Sequence, residues 1–159
     1  MISGLYDFDL SAPVRRDHNP LMKAEPITRA RVDELLRFLP LFCKPDEELE
    51  PKWHGLGAGP DKNGTLHMPY PVYPPIIVEF FRLAAQPCWN DYGYVPEVAN
   101  KMVQSDEVIA SASLSEIKTM LTSCVRGERF CDGHWGAMIR QGRIGAILSR
   151  LDQLRESVE

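Results

Sequence analysis

A mainly α fold is what this sequence predicts: five to six helices around one core, with a small β-hairpin and a Pro/Gly-rich loop region. Three observations carry it. All thirteen prolines lie at or before Pro96, so residues 97–159 lack the residue that most strongly breaks helices. Apolar residues recur there, and in two earlier stretches, at i, i+3, i+4 and i+7, the spacing of one buried helical face. Residues 45–73, by contrast, gather five prolines and four glycines without a sustained period, as loops do.

Residues 1–26 contain Pro13, Pro20 and Pro26 and read as an extended or partly disordered arm; the alternation of Tyr6, Phe8 and Leu10 suits a short strand or a docking tail. Residues 27–159 read as one helical domain. Thr28 is placed to cap a helix whose face is Val32, Leu35, Leu36 and Leu39, ended by Pro40. In the loop-rich region, the turn signal Asp61-Lys-Asn-Gly64 between Trp53-His54 and Thr65-Leu-His-Met68 predicts a hairpin. Pro75 suits the first position of a helix that buries Ile76, Ile77, Phe80, Phe81 and Ala84 and stops at Pro87. A short helix over 96–104 would use Val98, Met102 and Val103. The strongest start signal is Ser113-Leu-Ser-Glu116, a capping box ahead of Leu114, Ile117, Leu121, Cys124 and Val125. Asp132 is placed to cap a helix through Trp135, Met138 and Ile139 that ends at Gly142. The last helix starts near Arg143 and buries Ile144, Ile147, Leu148, Leu151 and Leu154.

Composition narrows the function classes. With 44% apolar and 25% charged residues the chain is globular and not a disordered polyampholyte. No apolar run approaches the length of a membrane span, and the acidic start, Met1-Ile-Ser-Gly-Leu-Tyr-Asp7, lacks the basic n-region of a secretory signal. Cys43, Cys88, Cys124 and Cys131 include no C-x-x-C pair and read as reduced thiols, so a cytoplasmic location is expected. The net charge of −4 is spread unevenly: residues 46–110 hold ten acids against four bases. That balance disfavours a nucleic-acid partner. Arginine outnumbers lysine twelve to six, which suits fixed, bidentate pairing.

The segment Leu121-Thr-Ser-Cys-Val-Arg126-Gly-Glu-Arg-Phe-Cys-Asp-Gly-His134 is the most distinctive of the chain. With the ending Gly142-Arg-Ile-Gly-Ala-Ile-Leu-Ser-Arg-Leu151 and the upstream Met68-Pro-Tyr70-Pro-Val-Tyr73, it resembles a family of uncharacterised bacterial and archaeal proteins over roughly residues 30–155. The resemblance supports the domain limits and points at residues 126–134; it names no reaction.

That nine-residue stretch concentrates Arg126, Glu128, Arg129, Cys131, Asp132 and His134. One reading is a loop pinned by Arg–carboxylate pairs, with Phe130 and Cys131 tucked under it and its glycines supplying tight turns. A second makes Cys131 a thiolate nucleophile, with His134 as base and Asp132 and Glu128 in support, as in a small hydrolase or transferase. A third recruits Cys124, Cys131 and His134 as zinc ligands, though one C-x-x-H doublet is weak evidence and no cofactor is the simpler expectation. The glycine loop His54-Gly-Leu-Gly-Ala-Gly59 lacks the strand, Lys-Ser/Thr pair and helix of a phosphate cradle. Residues 114–156 also fit the outline of a helix-turn-helix, but Asp152, Glu156 and Glu159 dilute the final helix's arginines.

Aromatics gather at Trp53, Tyr70, Tyr73, Trp89, Tyr92 and Tyr94. Such side chains dominate recognition surfaces. The favoured expectation is therefore a binding domain, a monomer or homodimer, that recognises a protein partner or small ligand. Its candidate contacts are Tyr70, Tyr73, Trp89, Tyr92, Arg126, Arg129 and His134.

Overall fold

The fold, a computed structural model, describes residues 25–159; the arm expected over residues 1–26 lies almost wholly outside them. Eight helices and one two-stranded antiparallel hairpin follow in the order α1 (Arg29–Leu36), α2 (Leu39–Cys43), β1 (Lys52–His54), β2 (Tyr70–Val72), α3 (Pro75–Ala84), α4 (Pro96–Val103), α5 (Asp106–Ser111), α6 (Leu114–Gly127), α7 (His134–Arg140) and α8 (Arg143–Leu154). The predicted class holds. The two helices beyond the expected six, α2 and α5, are too short to show a period.

Caps explain most of the boundaries. The Thr28 hydroxyl accepts the Arg31 N–H at the start of α1. Ser105 does the same for Val108 at α5, and Ser113 and Glu116 form the expected reciprocal capping box on α6. Pro75 opens α3 as predicted. Pro40 does not simply terminate a helix: α1 stops at Leu36, and Pro40 sits in the first turn of α2, where its missing N–H costs nothing.

The hairpin also differs from the expected one. The Asp61–Gly64 turn forms, with the Asp61 carboxylate accepting the Asn63 and Thr65 N–H groups. The strand that pairs with β1 is Tyr70–Val72, not Thr65–Met68, in the register Lys52↔Val72, Trp53↔Pro71, His54↔Tyr70. Strand alternation then places Trp53 and Pro71 on one face and the stacked His54 and Tyr70 rings on the other.

The core is built around α8, which packs against α1, α2, α5, α6 and α7, while α6 also meets α3 and α4. Ile144, Ile147, Leu148 and Leu151 of α8 are fully buried against Val32, Leu35, Phe42, Ile117 and Leu121. Gly145 lets α8 approach α2: a Cβ there would lie 2.5 Å from the Phe42 carbonyl oxygen. A row of aromatic rings runs outward from this core. Phe42 meets Phe80 edge-on at 4.7 Å, Phe80 meets Phe81 at 5.1 Å, Phe81 stacks on Trp135 at 4.2 Å, and Trp135 touches Tyr73 at 5.3 Å. The row ends beside the motif at residues 126–134. No helix among the described residues is long and apolar enough to cross a membrane.

Candidate functional site

Glu128 is the hub of the motif. It follows the end of α6, and its half-buried carboxylate reaches forward across the turn to the start of α7. There it accepts the Gly133 N–H at 2.9 Å and the Trp135 N–H at 2.8 Å. The Tyr73 hydroxyl, arriving from β2, donates to both carboxylate oxygens at 3.0 and 2.9 Å. Tyr73 in turn accepts the Gly136 N–H at 3.4 Å. The carboxylate therefore does the work of an N-cap from a distance, favoured by the positive end of α7. Asp132 does not cap α7 as the sequence suggests. The cap position is Gly133 in the left-handed region at φ 85°, and its backbone leaves room only for the ring of Trp53. The Trp135 indole N–H closes the other side by donating to the Val125 carbonyl at 3.1 Å.

The loop is thus pinned, but not by arginine–carboxylate pairs. Burial, with the adjoining Glu128 carboxylate, pushes the Tyr73 phenol up, so that it stays a proton donor to Glu128. His134 lies with its ring over Gly127, where a Cβ would come within 2.3 Å of it. Burial holds the His134 imidazole below its ordinary value against the upward pull of Glu128. Its buried Nε2 has no hydrogen-bond partner among the described residues. The ring is thus neutral near pH 7 and fills space against α6.

The nucleophile constellation is not assembled. Cys131 is exposed, and its sulfur makes one long contact, 4.0 Å, to the Asp132 carbonyl; the His134 backbone N–H donates to the Cys131 carbonyl at 3.1 Å, but no hydrogen bond joins the sulfur to the imidazole. Nor are the zinc candidates brought together: Cys124 is 1% exposed inside the core while Cys131 faces outward. Among the described residues no three His, Cys, Asp or Glu side chains are grouped to hold a metal. These placements give a direct expectation. A maleimide under native conditions should label Cys43 and Cys131 quickly and leave Cys88 and Cys124 protected, the Cys124 thiol being pushed up to about 12 by burial. Mass mapping of the labelled peptides reads this out, and early modification of Cys124 would contradict the packing of α6.

The aromatic candidates separate. Trp89 is 1% exposed and belongs to the core, out of reach of any surface ligand. Tyr73 belongs to the Glu128 knot, Tyr94 lies under the Arg126 guanidinium at 5.0 Å, and Tyr70 and Tyr92 stand exposed. Phe130 and Cys131, expected to tuck under the loop, are instead both exposed, and other exposed apolar side chains lie nearby. Met68 (83% exposed) and Phe130 (85% exposed) join Leu56, Leu66, Tyr70 and Val72 as uncovered side chains on and around the hairpin and the 126–134 turn. Periodicity found none of them, because they sit in segments without a period.

Beside the hairpin lies a groove of about 510 Å³. Pro51, Val72, Tyr73, Pro74 and Pro75 line its apolar part, and Glu47, Glu48, Glu50 and Lys52 its charged part. Glu50 is matched by Arg140 at 2.9 Å; Glu47 and Glu48 form no salt bridge among the described residues.

A family model described as a family of unknown function (DUF6508) matches residues 27–157, in keeping with the resemblance read from the sequence. No curated protein matches, and no solved structure does.

Proposed function

The chain belongs to the family of unknown function DUF6508 over residues 27–157, and on that premise we propose that it is a protein-binding module whose groove beside β2 holds an extended, basic and apolar segment of a partner. One observation carries the reading: three glutamates against a single lysine, Lys52, line the groove with Val72, Tyr73, Pro74 and Pro75, and Glu47 and Glu48 form no salt bridge among the described residues. Proline and aromatic walls suit an extended backbone, which is already stiff and loses little entropy on binding. The unmatched carboxylates favour Lys or Arg in that segment and disfavour acidic competitors. The exposed Tyr70 and Val72 continue the apolar surface past the groove. The surrounding charge agrees, since residues 46–110 hold ten acids against four bases.

Selection from a displayed library of random peptides tests the reading. The enriched sequences should place Lys or Arg beside apolar residues and bind the purified domain saturably. The double variant E47K/E48K, altered only at exposed positions, should weaken that binding by roughly tenfold or more, the loss expected for reversing charges that face a cation. No enrichment, or enriched peptides that bind the variant equally well, would overturn the proposal.

A further inference from the structure

Among the described residues, six of the ten arginines are spent on carboxylates. Arg29, Arg31, Arg37, Arg140, Arg143 and Arg155 each pair with an aspartate or glutamate. Arg126 and Arg129 do not, among the described residues, although Glu128 lies between them in the chain. That carboxylate is turned the other way, into the Tyr73 knot. Arg126 in the last turn of α6 and Arg129 in the turn that follows it line a small cleft, of about 100 Å³, together with Ala84, Ala85 and Val125.

Arg126 is held in place before any ligand arrives. Its guanidinium lies over the Tyr94 ring at 5.0 Å, and Nη2 donates to the Asn90 Oδ1 at 3.4 Å. Asn90 lines the cleft too, and with its Oδ1 engaged by Arg126 its Nδ2 is the amide atom left to donate. The neighbouring acid, Asp91, is occupied: it accepts from the Thr119 hydroxyl at 2.7 Å and from the Gly93 N–H at 3.0 Å. Thr122 is likewise committed, to the Trp89 and Lys118 carbonyls and to the Asp91 N–H.

We infer that this cleft is a binding site for a dianionic phosphoryl group, gripped by Arg126 and Arg129 with the Asn90 amide as third donor. Two permanent cations match the double charge of a phosphate monoester near pH 7, and guanidinium forks match its oxygens. Size agrees. A water occupies about 30 Å³ of the liquid, so the cleft takes a group of a few heavy atoms, well short of the roughly 300 Å³ that a whole cofactor needs. The site lies on the α3–α6 side of the motif and shares no lining residue with the glutamate groove, so it stands whether or not that groove binds peptide.

NMR titrations of the full chain with inorganic phosphate and with phenyl phosphate, at constant ionic strength made up with chloride, decide the matter. Saturable binding that shifts the Arg126 and Arg129 Nε–H signals is expected. R126M/R129M should weaken it by at least about tenfold while its far-UV spectrum stays unchanged. The exposed single variant R129M guards against misfolding of the double one, and should itself lose several-fold. R126K/R129K keeps the charge without the fork and should fall between. Tighter binding of phenyl phosphate would place the group on a larger molecule; binding of inorganic phosphate alone would make the ligand the free ion. Linear shifts equal to those from added chloride, or undiminished binding in the methionine variants, would overturn the inference.

Discussion

Glu128→Ala should destabilise the fold by about 3 kcal/mol, because it removes the acceptor of several charge-assisted or capping hydrogen bonds at once. The Tyr73 hydroxyl and the Gly133 and Trp135 N–H groups all lose their partner. For a chain of this length that corresponds to roughly 6–12 °C in Tm. Glu128→Gln should cost less, since one oxygen still accepts, although its NH₂ then faces an N–H. Tyr73→Phe should cost about 1 kcal/mol in the native protein and less on the Glu128→Ala background, where only the long Gly136 N–H contact at 3.4 Å is left to lose. Thermal unfolding followed by circular dichroism gives all four values. Hydrogen exchange should show protection lost first at Gly133–Trp135. A Glu128→Ala protein within about 0.5 kcal/mol of the parent would mean that water caps α7 just as well.

Gly145→Ala is expected to lower stability by about 1–3 kcal/mol, and Gly145→Val by more, in opposition to helix propensity. Propensity alone makes Ala the better residue inside α8 by about 1 kcal/mol. The added methyl, however, would sit 2.5 Å from the Phe42 carbonyl oxygen and 3.1 Å from its carbon. Both are backbone atoms, so no rotamer change relieves the contact. Either α2 moves off α8 or the Phe42–Phe80 edge contact opens. Chemical denaturation should show a lower midpoint at an unchanged slope. A stabilised Gly145→Ala protein would show that α2 shifts freely.

Much of this architecture was legible in the sequence, for reasons that can be stated residue by residue. The capping box at Ser113 and Glu116, the Thr28 cap and the opening at Pro75 are local effects, and the structure reproduces them. The buried faces of α3, α6 and α8 follow largely from 3.6-residue spacing, but Ile76, expected inside α3, is 39% exposed while Leu83 is buried, and α4 buries Ala99 and Val103 with Val98 left exposed. The partner of β1 was not legible, because register depends on cross-strand contacts and the Asp61–Gly64 turn belongs to a longer loop than a tight hairpin would have. Glu128 was singled out, but its partner Tyr73 lies 55 residues away and no local rule joins them. The same distance effect misassigned the arginines. Adjacent opposite charges in Arg126-Gly-Glu128-Arg129 suggested pairing, whereas the chain leaves α6 at Gly127 and turns over residues 128–130, so only the fold decides which neighbour each side chain meets. Trp89 looked like a recognition residue because aromatic content says nothing of burial.

One last feature bears on topology. The Arg29 N–H donates to the Glu159 carbonyl at 3.0 Å, Arg29 pairs with Glu156 at 2.6 Å, and Arg155 pairs with Asp33 at 2.7 Å. The polypeptide therefore enters and leaves the helical body at a single point, like the two ends of a closed clasp. A body so arranged can be spliced into a surface loop of an unrelated host without prying the host's strands or helices apart. It can equally be rejoined end to end and cut open in the exposed stretch around Leu56–Leu66, with every helix left in its present place.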